Sequence, residues 1–294
     1  MACEDGVPIF VISFNRGSVL KRVIKNYRNL RGVGDIIVHD NGSFDPKTLE
    51  ILYELERDGV IVYRRPAILK ADDLNNTNTS VEEYFLQKKF RSNYVVSDCD
   101  IDMSISEPEA LLVYGELLAT HPRAMVVGPM LRIADIPPSL PLFNEVMNRH
   151  IRQFWHKKPQ WTETSFGPIA FIDSAIDTTF ALHRANEPFR RLKDGLRVYY
   201  PYEAWHLDWY DEPSDGDAYH ASSSSGVAHW NNAAFLRSHS FSKLRYKNFN
   251  IVVKDENGNL VSRKHTVNSE TKTGLTFLFR IKTWKIFRWA NGID

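Results

Sequence analysis

The order of apolar runs in the first third of the chain constrains the fold more than any other feature. Short apolar runs, typical of buried strands, lie at Val7–Ser13, Asp35–Asp40 and Val60–Tyr63. They alternate with segments whose apolar residues recur every three or four positions, as on one face of a helix, over Ser18–Leu30 and from Pro46 onward. This β-α-β-α-β series predicts an α/β protein with a mostly parallel central sheet and helices on both faces.

The alternation continues less regularly through the rest of the chain. A polar loop over residues 66–80 is expected before a helix at Val81–Phe90 and a strand at Tyr94–Ser97. The other predicted elements are helices at Pro108–Thr120 and Phe143–Trp155, and strands at Ala124–Ile133, Ile169–Ile172, Thr178–Leu182 and Arg197–Tyr200. Ligands of open α/β sheets bind at the carboxyl ends of the strands, so the residues just after each strand are the candidates for a site.

Two carboxylates follow the strand at Tyr94–Ser97. Asp98 and Asp100 are two positions apart, which predicts that their side chains lie on the same side of the sheet edge. Carboxylates this close repel each other unless a cation lies between them, and Mg²⁺ and Mn²⁺ prefer such oxygen ligands. The alternative is a solvated acidic turn or helix cap. Asp102 is expected to precede the next helix, where an acid stabilises the N-terminus.

A second polar group is expected beside the first. Phe14 and Arg16 follow the first strand, and Asp40 and Asn41 follow the second. Adjacent parallel strands bring these turns together and offer aromatic, amide and carboxylate groups to a base and a ribose. Turn chemistry alone explains the Asn-Gly-Ser sequence equally well.

The third group is aromatic and acidic. Asp208 lies among His206, Trp209 and other aromatic residues, whose burial would desolvate its carboxylate and favour a role as a general base. The flat face of a tryptophan also suits a sugar ring. Some twenty residues later, His229 is either a metal ligand or a packing residue beside Trp230.

Charge is balanced overall but uneven along the chain. The 37 Lys and Arg residues nearly cancel the 36 Asp and Glu residues, so the chain has no electrostatic reason to bind nucleic acid. Between Arg197 and Arg237, six carboxylates occur without a Lys or Arg, which suits a cation. From Arg237 to Trp289, twelve Lys or Arg residues face three acids. This segment is interpreted either as a cap on the domain or as a peripheral membrane contact.

The cysteines and the apolar runs bear on location. Cys3 and Cys99 are the only cysteines, which favours a reducing compartment over a disulfide framework. We expect neither a signal peptide nor a membrane span, since the first residues are acidic and no run of about 18 apolar residues occurs. The expected location is cytoplasmic, with the basic tail as the candidate for contact with the inner membrane surface.

Taken together, the motifs VISFNR, DNGS, VVSDCDID, AWHLDWY and VAHW resemble those of nucleotide-sugar glycosyltransferases of the GT-A superfamily, particularly small bacterial and viral members. The resemblance spans Pro8 to about Trp230. It implies a Rossmann-like GT-A domain over residues 1–236 and a basic C-terminal extension over 237–294 that packs on or near it. It also implies a nucleotide-sugar donor, expected to be UDP-linked, a glycan, lipid-linked or protein acceptor, and Mn²⁺ or Mg²⁺ as cofactor.

The resemblance also assigns roles to single residues. Asp98 and Asp100 form the Asp-x-Asp motif that binds the ribose and the metal on the donor diphosphate. Asp40 and the neighbouring Asn41 match the nucleoside site, with Phe14 and Arg16 in the loop that wraps it. The expected metal set is Asp98, Asp100 and His229, the expected catalytic residue is the acceptor-side carboxylate Asp208, and the weaker acceptor-side candidates are Asp177, His206, Trp209 and Trp230.

Two other classes of function remain as alternatives. A nucleotidyltransferase or phosphotransferase would also need paired acids, but the chain lacks a glycine-rich phosphate loop. A non-catalytic carbohydrate-binding module would use the tryptophans without needing Asp98 and Asp100. The predicted function is therefore metal-dependent glycosyl transfer, with inversion or retention of the anomeric centre left open.

Overall fold

The computed structural model describes residues 6–67, 75–140, 143–210 and 243–267. The strands are β1 (Val7–Ser13), β2 (Val33–Asp40), β3 (Ile61–Arg64), β4 (Tyr94–Asp98), β5 (Ile101–Asp102), β6 (Val126–Pro129), β7 (Gln160–Thr164), β8 (Gly167–Ile176), β9 (Ala181–His183), β10 (Lys193–Val198), β11 (Trp205–His206), β12 (Asn248–Lys254) and β13 (Leu260–Thr266). The helices are α1 (Gly17–Tyr27), α2 (Pro46–Arg57), α3 (Thr77–Lys88), α4 (Ala110–Thr120) and α5 (Phe143–His150). A π-helical segment, Ile151–Trp155, continues α5, and Leu207–Trp209 forms a 3₁₀ turn.

The described residues form a nine-stranded sheet in the order β3-β2-β1-β4-β9-β6-β10-β8-β7. The pairs β3-β2, β2-β1, β1-β4 and β6-β10 are parallel, whereas β9 is antiparallel to both of its neighbours and β8 to both of its own. Seven of these strands therefore run in one direction and two in the other. The predicted α/β class with a mostly parallel sheet is confirmed.

Both faces of the sheet are covered because alternate side chains of β1 enter different cores. Ile9 and Val11 pack in a large core that includes Leu20 of α1, and Phe10 packs on the other face against Tyr84 of α3. The rings of Phe10 and Tyr84 meet edge to face at 5.5 Å. An apolar run without polar alternation is what a strand buried on two faces requires.

Several predicted boundaries are wrong for local reasons. Helix α3 begins at Thr77 rather than Val81 and so includes the polar residue Ser80, which is fully buried with its hydroxyl 2.8 Å from the His39 ring. Strand β6 ends at Pro129 instead of Ile133, since the chain then leaves the sheet and Leu131 bridges Ala204. The edge strand β7 has no counterpart among the predicted elements, because its residues are largely exposed and lack an apolar run.

The described part of the predicted C-terminal extension is a hairpin of β12 and β13. Phe249 of β12 is buried, and its ring contacts the indole of Trp155 edge to face at 5.6 Å. The proposed boundary at residues 236 and 237 and the basic, aromatic tail lie outside the described residues. Among the helices that are described, none is long and apolar enough to cross a membrane.

Candidate active site at the carboxyl edge of the sheet

Three predicted site residues converge at the carboxyl edge of the parallel strands. Asp100 lies in the turn between β4 and β5, His206 in β11, and Asp208 in the 3₁₀ turn that follows. One ligand atom from each lies within 4.8 Å of the other two, which makes this trio the candidate metal group within the described residues. The pairing of β11 with β5 brings residues more than a hundred positions apart together, with His206 opposite Ile101.

Arg16 joins this cluster from the residue before α1. The preceding Asn15 has a positive φ of 48°. Its side-chain oxygen accepts hydrogen bonds from the backbone N–H groups of Phe44 and Asp45, at 2.9 and 3.0 Å, and its own N–H donates to Ser43 Oγ at 2.8 Å. These contacts tie the end of β1 to the start of α2. The backbone that leads into Arg16 is therefore held in place.

The guanidinium of Arg16 bridges the two carboxylates. It is 2% exposed, its Nη1 lies 2.8 Å from Asp100 Oδ2, and its Nη1 and Nη2 donate to the two oxygens of Asp208. Burial alone would raise the pKa of Asp100, but the charges of His206 and Arg16 and the Arg16 hydrogen bond hold that pKa below its ordinary value. The sequence predicts aromatic neighbours around the Asp208 carboxylate. In the structure this carboxylate forms an ion pair with Arg16.

Asp100 and His206 each have one polar atom without a hydrogen-bond partner among the described residues. Asp100 Oδ1 and His206 Nδ1 are buried and accept or donate no hydrogen bond among the described residues. The His206 ring stacks on the indole of Trp209 at 4.5 Å and 5°, and that indole meets the His150 ring at 4.4 Å. Trp209 is 2% exposed. In this structure its indole therefore fixes the plane of the imidazole.

The residues of the cluster fit a divalent cation in their chemistry. Two carboxylates and one imidazole are a donor set that suits Mn²⁺, and Asp100 Oδ1 and His206 Nδ1 have no competing partner among the described residues. Asp208 differs, because both of its oxygens accept from Arg16. A metal ion there would bind Asp100 and His206 first and would have to share Asp208 with the guanidinium.

Asp98 and Asp100 have different partners despite their spacing. The Asp98 carboxylate accepts a hydrogen bond from the Thr178 hydroxyl, and its N–H donates to the Thr178 carbonyl at 2.7 Å. Burial raises the pKa of Asp98, and the neighbouring charge of Asp100 raises it further. Next to this contact, Asp177 lies 3.5 Å from the buried guanidinium of Arg197. Asp98 is thus paired with a neutral hydroxyl, whereas Asp100 is paired with the guanidinium of Arg16.

The residues predicted to hold the nucleoside lie together at the ends of β1 and β2. Asp40 is 1% exposed, and its carboxylate accepts a hydrogen bond from the Ser43 backbone N–H at 3.0 Å and another from the Ser43 hydroxyl. Burial raises the pKa of Asp40 against the effect of these hydrogen bonds. Asn41 is buried, with its N–H bonded to the Ser13 carbonyl at 2.8 Å. In this structure the hydrogen bonds of both residues therefore stabilise the turn after β2.

Phe44 was missed by the sequence reasoning. Its ring meets that of Phe14 edge to face at 6.0 Å and is 63% exposed. An exposed aromatic ring two residues after a strand-end Asn-Gly pair was the available signal. Phe44 supplies an apolar surface at the mouth of the predicted nucleoside site.

Asp102 corrects one expectation. Helix α4 begins only at Ala110, and Asp102 lies in β5 with no exposed surface. Its carboxylate accepts from Arg22 Nη2 at 2.8 Å, from Asn26 Nδ2 at 2.8 Å and from the Ser104 N–H at 2.8 Å. Asp102 is thus a buried anchor between β5 and α1, not a helix-stabilising acid. His229 and Trp230 lie outside the described residues.

Comparison with known proteins identifies no family. No protein-family model and no curated protein sequence matches this chain. Among solved structures, a mannosyltransferase from Pyrobaculum calidifontis in complex with GDP-Man and Mn²⁺ aligns with a TM-score of 0.33 and 17% identity, over 51% of this chain and 41% of that one. A 4-diphosphocytidyl-2C-methyl-D-erythritol synthase aligns with a TM-score of 0.31 and 12% identity, over 79% and 85%. These likenesses are too loose to carry a function to this chain.

Proposed function

We propose that the chain is a metal-dependent glycosyltransferase that moves a sugar from a nucleotide diphosphate donor, expected to be UDP-linked, to a glycan, lipid-linked or protein acceptor. The observation that carries this proposal is the buried cluster of Arg16, Asp100, His206 and Asp208 at the carboxyl edge of a mostly parallel sheet. Open α/β sheets bind their ligands at this edge. Buried carboxylates that neighbour one another there favour a cationic ligand or a substrate bound through a cation.

The donor site is proposed along the ends of β1, β2 and β4. Phe14 and the exposed ring of Phe44 would contact the base, and Asp40 and Asn41 the nucleoside. Asp98 would reach the ribose from beside Thr178.

Asp100 and His206, whose Oδ2 and Nε2 atoms lie 4.0 Å apart, would hold the metal ion, with His229 as a further proposed ligand. The metal ion would neutralise the donor diphosphate and make it a better leaving group.

Asp208 is the proposed acceptor-side acid. It lies in the same cluster as Asp100, but on a separate turn that approaches from β11. If the enzyme inverts the anomeric centre, its carboxylate would accept the proton of the acceptor hydroxyl as the bond to the sugar forms. If the enzyme retains it, Asp208 would position that hydroxyl and the leaving phosphate would take the proton. Asp177 is the next candidate, close enough for its charge to raise the pKa of Asp98.

A thermal-shift panel tests the proposal. The full chain is heated with UDP, GDP, CDP and their sugar derivatives, each with Mn²⁺ and with a chelator. A ligand that binds only the folded state raises the melting temperature in proportion to its affinity. We expect one nucleotide series to stabilise the protein in a manganese-dependent way and its sugar derivative to be hydrolysed slowly. Equal hydrolysis in chelator would contradict metal dependence, and cleavage of a nucleoside triphosphate instead would favour a nucleotidyltransferase.

A further inference from the structure

The cluster already contains a cation that belongs to the chain. Arg16 is 2% exposed and contacts both buried acids, with two hydrogen bonds to Asp208 and one to Asp100. A pair of buried carboxylates without a positive partner would strongly destabilise the folded protein. The guanidinium offsets that destabilisation, so the folded protein does not need a metal ion to close this part of the structure.

A divalent ion and this guanidinium compete for the same oxygens. Asp100 can offer Oδ1 to a metal while Oδ2 stays on Arg16, but Asp208 has no oxygen that Arg16 leaves open. Two positive groups within a few ångströms also repel each other strongly where water is excluded. Full coordination by Asp208 therefore requires Arg16 to leave it.

We propose that Arg16 is the resident cation of the cluster, competes with the metal ion for Asp208, and leaves that carboxylate when a diphosphate offers it replacement oxygens. This inference rests on the proposed metal and diphosphate site. It adds an order to binding: the metal ion binds weakly by itself and tightly once a nucleoside diphosphate is present.

The local structure allows this exchange. The backbone of Arg16 is held by the Asn15 contacts, but the guanidinium is joined to it by a long side chain with several rotatable bonds. A guanidinium binds phosphate oxygens in the same bidentate manner as carboxylate oxygens. The apparent affinity for metal falls in proportion to the fraction of molecules in which Asp208 is available.

The test measures binding of Mn²⁺ alone by electron paramagnetic resonance, using the full chain. Arg16→Gln removes the resident cation and is expected to bind Mn²⁺ at least about tenfold more tightly than the unmodified protein. Arg22→Gln is the matched control, because Arg22 pairs with the neighbouring Asp102 outside the cluster, and its Mn²⁺ affinity should not change. Adding UDP should tighten Mn²⁺ binding more in the unmodified protein than in Arg16→Gln.

Equal Mn²⁺ affinities for the unmodified protein and Arg16→Gln would overturn the inference. If no protein binds Mn²⁺ even with UDP, the proposed metal site itself fails, and the two failures are thereby distinguished. Should Arg16→Gln not fold, Arg16→Lys replaces it, since Lys keeps the charge but not the fork that spans both acids. That variant should bind Mn²⁺ more tightly than the unmodified protein, and an unchanged or weaker affinity would equally refute the competition.

Discussion

Arg16 and Arg22 lie six positions apart in the sequence, and each binds an aspartate from the β4–β5 segment. The two ion pairs differ in whether both oxygens of that aspartate have a hydrogen-bond donor. Arg22 is half exposed, and its partner Asp102 is surrounded by donors on both oxygens. Arg16 is buried, bridges two acids, and leaves Asp100 Oδ1 without a partner among the described residues. The hydrogen-bonded carboxylate of Asp102 stabilises the fold, whereas the unpaired oxygen of Asp100 makes that residue the candidate for binding a ligand.

The largest expected difference is in the turnover number, between variants of Asp208 and of Asp102. Asp208→Asn is expected to lower the turnover number by about 10² to 10⁴ while the protein stays folded and binds nucleotide, because the acceptor proton loses its base. Asp102→Asn should reduce stability and leave the turnover of the folded fraction close to normal. The measurement is product formation with saturating acceptor, with product stereochemistry read by NMR. Near-normal turnover of Asp208→Asn would shift the role to Asp177.

The free energy of unfolding should depend more on Arg16 than on Arg22. Arg16→Ala leaves two buried acids without their bridging cation and is expected to lower the free energy of unfolding by about 3 to 5 kcal/mol in the absence of metal. Arg22→Ala should cost only about 1 kcal/mol, because that side chain is half exposed and Asp102 keeps two neutral donors. Urea unfolding curves with chelator present give both values. A smaller loss for Arg16→Ala than for Arg22→Ala would reverse the comparison.

Another buried acid, Glu203, should make the stability of the protein depend on pH. Glu203 lies 3.9 Å from Arg132 without a bidentate contact, and burial raises its pKa from 4.5 to about 7. Between those pH values the folded state holds a proton that the unfolded state has released, so the contribution of Glu203 to stability falls as the pH rises, by about 3 kcal/mol in total. Glu203→Gln should remove this fall.

The pH dependence of Asp100 has the opposite sign. Its lowered pKa contributes stability above the ordinary value of 3.8, and that contribution is lost as the pH falls below it. Unfolding curves from pH 3 to 8 separate the two effects. An identical slope for the unmodified protein and Glu203→Gln between pH 4.5 and 7 would mean that Glu203 is ionised in the folded state.

The smallest effect is expected at Asp98, which is held by a neutral hydroxyl rather than by a guanidinium. Thr178→Val keeps the shape of the side chain but removes the hydrogen bond to Asp98. The expected loss is about 1 kcal/mol of unfolding free energy. Thr178→Ser retains the hydroxyl and serves as the control, and equal stabilities of the Val and Ser variants would show that the contact contributes nothing.

The sequence predicts the regular part of the molecule well because periodicity is a local signal. Strands β1, β2 and β4 lie within a few residues of the predicted runs, and Asp100 follows β4 as its strand-end position predicts. The sequence does not predict which aspartates form ion pairs with the same arginine. The pairing of Arg16 with Asp208 joins residues 192 positions apart and depends on β11 lying beside β5. Asp98 and Asp100 have the same spacing parity but different partners, which only the tertiary contacts decide.

The antiparallel strand β9 has a consequence for how this protein is made. It fills the space between β4 and β6, yet it follows both of them in the chain, with Ala181 paired to Val96. Until a growing or refolding chain has delivered Ala181–His183, two buried strands have unpaired edges facing each other across a gap. Exposed apolar edges are templates for aggregation, and contacts between distant residues form slowly. Assembly of the sheet edge that carries the candidate site therefore waits on a three-residue strand, and the incomplete sheet is the species that a chaperone would have to protect.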